Sequence, residues 1–309
     1  MNMLSRLLLL LPFSLTALLA QPELDYKPVK GWGTMPDGYV TGAGMAVAVD
    51  GDDNIWYYTR SSHPVMQFDS DGNLLRAWPE EEAALSNHKG AAHGMGIGPD
   101  GGVWLVDRET HTLFKFSPSG RALLTIGTFA GKEGTNDTPY AFNRPAGVSF
   151  DSRGNIYVAD GYKNTRVAKY DPSGDYIDYW GGAGEGPGQF NLVHGLTLDH
   201  RDRVYVADRG NKRVQVFTKN GKFLAEWNGI GTPWNLTFDP REKVIWMCDG
   251  DLGRVTKLSL DGEVLGGFGT TGKAAGELFQ AHCIAVDSEG AIYTAETVNQ
   301  RIQKFVKIP

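Results

Sequence analysis

The chain has 309 residues, 41% of them apolar, and its 30 Lys and Arg against 36 Asp and Glu give a net charge of -6. Acids and bases are interspersed, which excludes the basic stripe of a nucleic-acid or membrane-surface binder. With only two cysteines, Cys248 and Cys283, in a chain long enough to bury a sizeable core, it is not a disulfide-built mini-domain.

Residues 1–20 carry a lone Arg6, the leucine-rich run Leu7 to Leu19 and a closing small residue, which is the build of a secretory signal peptide. The apolar run falls short of the roughly 20 residues that span a bilayer, and no later segment replaces it. The expectation is a protein starting near Gln21, secreted or periplasmic, with residues 21–309 as one domain and no membrane span. Cys248 and Cys283 read either as two buried thiols or as one bridge.

From residue 47 onward one pattern recurs six times: an apolar alternation, a Gly/Asp-rich turn, and a second strand opening on an aromatic. The copies are Val47 to Tyr57, Met95 to Leu105, Val148 to Val158, Leu196 to Val206, Leu236 to Met247 and Ile284 to Thr294. Their aromatics, Trp56, Trp104, Tyr157, Tyr205, Trp246 and Tyr293, are 48, 53, 48, 41 and 47 residues apart, a period that signals a solenoid or propeller. The first five copies continue through a third and a fourth strand; in the fourth copy these read RVQVFT and FLAEWNG around Lys219-Asn220-Gly221. Period-2 alternation with Gly, Asn and Asp at the turns, and no comparable helical period, predicts an all-β, six-bladed β-propeller of four-stranded blades. The last copy stops without a fourth strand, so the segment Tyr26 to Gly33 is expected to supply it and to close the ring, removing an exposed edge.

His93, His194 and His282 each lie 11 residues before the aromatic of their repeat, at the start of the innermost strand. Blades one, three and five carry Met45, Ala146 and Trp234 there, so the histidines alternate around the ring and converge on its axis. Three imidazoles suit a divalent metal, with zinc expected and iron, cobalt or copper open on ligand type. The competing reading is a channel of histidines that binds only water, which the shared register disfavours. His63, His88, His111 and His200 share no register and are expected at the surface.

The second strand returns to the histidine level, and four positions after each aromatic stand Arg60, Arg108, Gly161 followed by Tyr162, Arg209, Gly250 and Thr297. Arginines that fork onto carboxylates and a tyrosine able to move a proton therefore rim the metal, although an exposed loop contact remains the plainer role for any one of them. The acids one position earlier, Asp107, Asp160, Asp208, Asp249 and Glu296, recur too regularly to be functional. They are expected to bond loop amides or the later Arg166, Arg213, Arg254 and Arg301.

The repeat resembles the NHL family of propellers. The segments around His93-Gly94-Met95, Asp160-Gly161-Tyr162, Pro187-Gly188-Gln189-Phe190, His194-Gly195-Leu196, Ala207-Asp208-Arg209 and His282 resemble peptidyl-α-hydroxyglycine α-amidating lyase, the lyase domain of peptidylglycine α-amidating monooxygenase. That resemblance implies catalytic zinc on His93, His194 and His282, a catalytic Tyr162, and active-site arginines at Arg60 and Arg209. It implies release of a peptide amide and glyoxylate from a C-terminal α-hydroxyglycine. It also implies a structural calcium on the carbonyls of Val47 and Met95 and on an aspartate where this chain has Cys283, which makes calcium doubtful. Gln280 stands where the family has a methionine of the pocket wall. Two disulfides of the animal enzymes are absent as whole pairs, at Asn143 with Lys163 and Tyr205 with Val216. Arg108 and Gln280 are expected to touch substrate. The alternatives are a metal-dependent lyase or hydrolase acting on another small carboxylate-bearing molecule, and a non-catalytic propeller that binds a protein or peptide. In each case a monomer without nucleic acid is expected.

Overall fold

A computed structural model of the chain describes residues 21–78, 91–128 and 131–308; residues 1–20, expected as a signal peptide, and His88 lie outside the described residues. Six antiparallel sheets of four strands each make up the fold, and a short 3-10 turn, Arg209–Asn211, follows the second strand of blade four. Among the described residues no helix is long and apolar enough to cross a membrane. Five blades are built from consecutive strands. In the sixth, the strand Tyr26–Pro28 pairs antiparallel with Arg301–Lys307, Tyr26 opposite Lys307 and Pro28 opposite Phe305. The pairing is shorter than the expected Tyr26 to Gly33. Pro28 has no amide to donate, and after Val29 donates to the Lys304 carbonyl the chain turns inward, burying Trp32 against Phe68 and Tyr293 at the seam between blades six and one.

The recurring Asp and aromatic are physically coupled. Asp50, Asp151, Asp199 and Asp287 accept hydrogen bonds from Trp56 Nε1 and from the hydroxyls of Tyr157, Tyr205 and Tyr293, six residues on. The same carboxylates take backbone amides of their own turns, so one side chain shapes the first hairpin and satisfies a buried aromatic's polar end.

At the opposite end the second recurring acid locks loops to strands. Asp160, Asp208 and Glu296 receive Arg166, Arg213 and Arg301, each at 2.9 Å. Asp107 and Asp249 accept loop amides. Arg254 departs from expectation: it turns outward to Glu23 at 2.8 Å, while Asp249 takes the amides of Thr232, Asp251 and Leu252. The Arg166–Asp160 pair is fully buried, and the guanidinium also donates to the carbonyls of Asn136, Thr138 and Ala141, tying down the long loop that leads into blade three.

Cys248 and Cys283 are both free and buried, which decides against the bridge. A further correction concerns His111. It is buried, held inward by a left-handed backbone (φ 56°) in a tight turn, and its Nδ1 accepts the Arg144 amide.

Removing one partner of a buried ion pair strands the other in a dry site. Arg166→Met is therefore expected to cost about 3–5 kcal/mol in equilibrium urea unfolding, whereas Arg254→Met, which loses a pair with a mostly exposed Glu23, should stay within about 1 kcal/mol. Equal losses would show that the Asp160 clasp does not anchor blade three.

Candidate metal centre

His93, His194 and His282 begin the innermost strands of blades two, four and six, and their ligating atoms all lie within 4.8 Å of one another. All three are buried. Each ring is aimed by the neighbouring blade: Nδ1 of His93 lies 2.7 Å from the Ala146 carbonyl, that of His194 2.6 Å from the Trp234 carbonyl, and that of His282 2.7 Å from the Met45 carbonyl. The three acceptors are the residues that hold the same register position in the non-histidine blades. A carbonyl can only accept, so each Nδ1 carries the proton and each Nε2 presents a lone pair. The glycines after two of the histidines permit this approach. A Cβ on Gly94 would sit 2.4 Å from the Ala146 oxygen, and one on Gly195 would crowd Asn235 and the Trp234 carbonyl.

Burial, followed by the neighbouring imidazoles, holds His93 and His194 well below the ordinary histidine range. Burial brings His282 down to about 3. Neutral imidazoles are what a metal requires. The only side-chain donor hydrogen-bonded to their Nε2 atoms among the described residues is the Tyr162 hydroxyl, 3.0 Å from both His93 and His194. One hydroxyl proton cannot serve two lone pairs, still less three, so the donor set fits a divalent cation.

The rim arginines stand in three different states. Arg60 donates Nε to the Ala92 carbonyl at 3.2 Å, while its buried Nη2 has no partner among the described residues; burial and Arg108 both lower its affinity for its proton. Arg108 is held by Glu109 at 2.6 Å and lies 5.1 Å from the Tyr162 ring centroid. Arg209 stacks 3.4 Å above the Trp234 ring and also interacts with Tyr162. Gln280, two residues before His282, takes the Thr297 hydroxyl on its Oε1. The structure thus brings Tyr162, Arg60, Arg108 and Arg209 around the histidines. The Glu109 that occupies Arg108 and the indole beneath Arg209 escaped the sequence reading; the only sequence signal for the latter was a lone tryptophan in the histidine register.

Val47 and Met95 line an axial cavity of about 420 Å³ on the Asp-turn side of the ring, together with Cys283 and none of the three histidines. These residues do not fit calcium, which takes oxygen ligands and charge from carboxylates. Burial pushes the Cys283 thiol up to about 11, and as a neutral S–H it donates to the Val47 carbonyl at 3.5 Å, occupying the oxygen a cation would need.

A model of the NHL repeat matches residues 142–170, 190–217 and 280–305. Human NHL repeat-containing protein 3 is 33% identical over 303 residues, covering 93% of this chain and 85% of the relative. Among solved structures, a gluconolactonase from Xanthomonas campestris superposes with a TM-score of 0.65 at 13% identity, covering 94% of this chain and 99% of that one. Virginiamycin B lyase from Staphylococcus aureus gives 0.62 at 13%, covering 93% and 100%. At that identity the two structures share the fold with this chain.

With its pKa near 3, His282 is neutral in the folded chain where an unfolded one, near 6.5, takes up protons. The unfolded state binds more protons between these values, so the stability of the metal-free protein should fall as pH drops from about 6.5 towards 3. Metal binding between pH 5 and 7 should release almost no protons from this imidazole, measurable by calorimetry in buffers of different ionisation enthalpy; near-stoichiometric proton release at pH 5.5 would contradict the neutral site. His194→Ala should abolish stoichiometric metal retention.

Proposed function

We propose that this chain, which belongs to the NHL repeat-containing protein family, is a secreted or periplasmic zinc-dependent lyase that splits an α-hydroxyglycine, or a closely related hemiaminal bearing a carboxylate, into an amide and glyoxylate. The observation that carries the reading is the Tyr162 hydroxyl, 3.0 Å from the Nε2 atoms of two of the three converging histidines. A proton-transferring group and a metal centre thus share one locus, with guanidinium groups around it. The sequence resemblance in the segments bearing these residues supports the same reaction. Fold neighbours that include a lyase and a gluconolactonase support an enzymatic propeller at the level of architecture only.

When bound by His93, His194 and His282, zinc would supply Lewis-acid polarisation of the substrate hydroxyl. The remaining steps belong to the protein. Arg60 and Arg209 receive the carboxylate, Arg60 through its unpartnered Nη2 and Arg209 through the edge of its stacked fork. That anchoring places the adjacent hydroxyl at the axis, within reach of Tyr162 Oη. Tyr162, as the phenolate, accepts the hydroxyl proton as the C–O bond becomes a carbonyl and the C–N bond breaks, and then returns that proton to the departing amide nitrogen. Arg108, paired with Glu109 and close to the Tyr162 ring, orients the phenol and is less free to bind substrate. The partial burial of Arg60 and Arg209 strengthens their contacts with a carboxylate, since charges interact more strongly away from water.

The test is glyoxylate release from an α-hydroxyglycine peptide or from α-hydroxyhippurate by the zinc-loaded protein. Tyr162→Phe should retain zinc and lose turnover by a factor of about 100 or more. Full activity in that variant would remove Tyr162 from the chemistry, and no glyoxylate from the wild-type protein would refute the reaction.

A further inference from the structure

We propose that Trp234 is a positioning residue, whose indole holds Arg209 as a fixed carboxylate-binding fork beside the three-histidine centre; the inference rests on the carboxylate-bearing substrate class proposed above. The Arg209 guanidinium carbon lies 3.4 Å from the Trp234 ring centroid, a face-to-face stack. Stacking uses the face of the guanidinium and leaves its in-plane N–H donors for a ligand, with less side-chain freedom left to lose on binding.

The indole is itself fixed from three directions. Its Nε1 donates to Asp251 at 3.1 Å, and Asp251 also attracts Arg209. Its backbone carbonyl takes His194 Nδ1, and its ring lies 5.7 Å from those of His194 and His282, so the plate abuts the metal centre directly. Its floor is Gly250, where a Cβ would stand 2.5 Å from the ring. Blades one, two and four carry arginine at the position Gly250 fills in blade five. The side chain is missing there because the indole occupies its place. Arg108, by contrast, has spent its fork on Glu109.

The role can be separated from metal binding, because His194 is held by the Trp234 backbone and not by its side chain. Calorimetry on the zinc-loaded protein would compare N-benzoylglycine with its primary amide. The wild type should favour the carboxylate. Trp234→Leu and Gly250→Ala, which removes or displaces the indole, should each weaken carboxylate affinity about tenfold, the scale of one charged hydrogen bond, while affinity for the amide and zinc content stay unchanged. Trp234→Phe, which keeps an aromatic face, should recover most of the loss. Should Trp234→Leu fail to fold, Gly250→Ala carries the test alone. Wild-type carboxylate affinity in Gly250→Ala overturns the proposal, and so does a wild-type protein with no preference for carboxylate over amide. If the preference and its loss are seen but no glyoxylate is released, the positioning role stands and only the lyase reaction falls.

Discussion

The site depends on a hydrogen bond made three times across the seams between blades: the imidazole Nδ1 of one blade donating to the backbone carbonyl at the same register position of the next. Alternation leaves room for this, because an imidazole from every blade would crowd the axis. The geometry also divides labour within each ring. One nitrogen is committed to the scaffold, and the other is left facing inward with a lone pair that buried surroundings keep unprotonated. The propeller therefore supplies a preorganised set of three imidazoles able to hold a metal, with no carboxylate in the group among the described residues.

Around that set the fold places charge asymmetrically. Regular features, the Asp-to-aromatic bonds at one end and the acid–arginine clasps at the other, recur because each blade must shape the same hairpins and pin the same loops. The departures from regularity sit near the axis: a tyrosine in blade three, arginines in blades one, two and four, and a tryptophan over glycine in blade five. Scaffold needs are identical from blade to blade, whereas a substrate is not six-fold symmetric, so function has to break the repeat.

Much of this was legible in the chain because the blade period is a ruler. Counting 11 residues back from each aromatic found the histidines, and counting four forward found Arg60, Arg108 and Arg209 beside Gly161-Tyr162. What the ruler could not give were contacts between blades. Nothing local in the sequence says that Ala146, Trp234 and Met45 serve as acceptors, that Glu109 would claim Arg108, or that Arg254 would leave its blade for Glu23. His111 defeated the surface expectation because its burial follows from a left-handed turn rather than from any register. Cys283 was visible as a departure from the lyase pattern. Its consequence, an S–H bonded to Val47 across the closing seam, required the neighbouring strand.

The central claim is that one metal ion sits among three Nε2 atoms beside the Tyr162 hydroxyl. Crystals of the purified protein, with diffraction recorded on both sides of the zinc absorption edge, test this most directly. A single anomalous peak is expected on the propeller axis, bonded through Nε2 to His93, His194 and His282, with Tyr162 Oη adjacent and the three Nδ1 bonds intact. Histidines that hold only water, or that reach a metal through Nδ1, would contradict it.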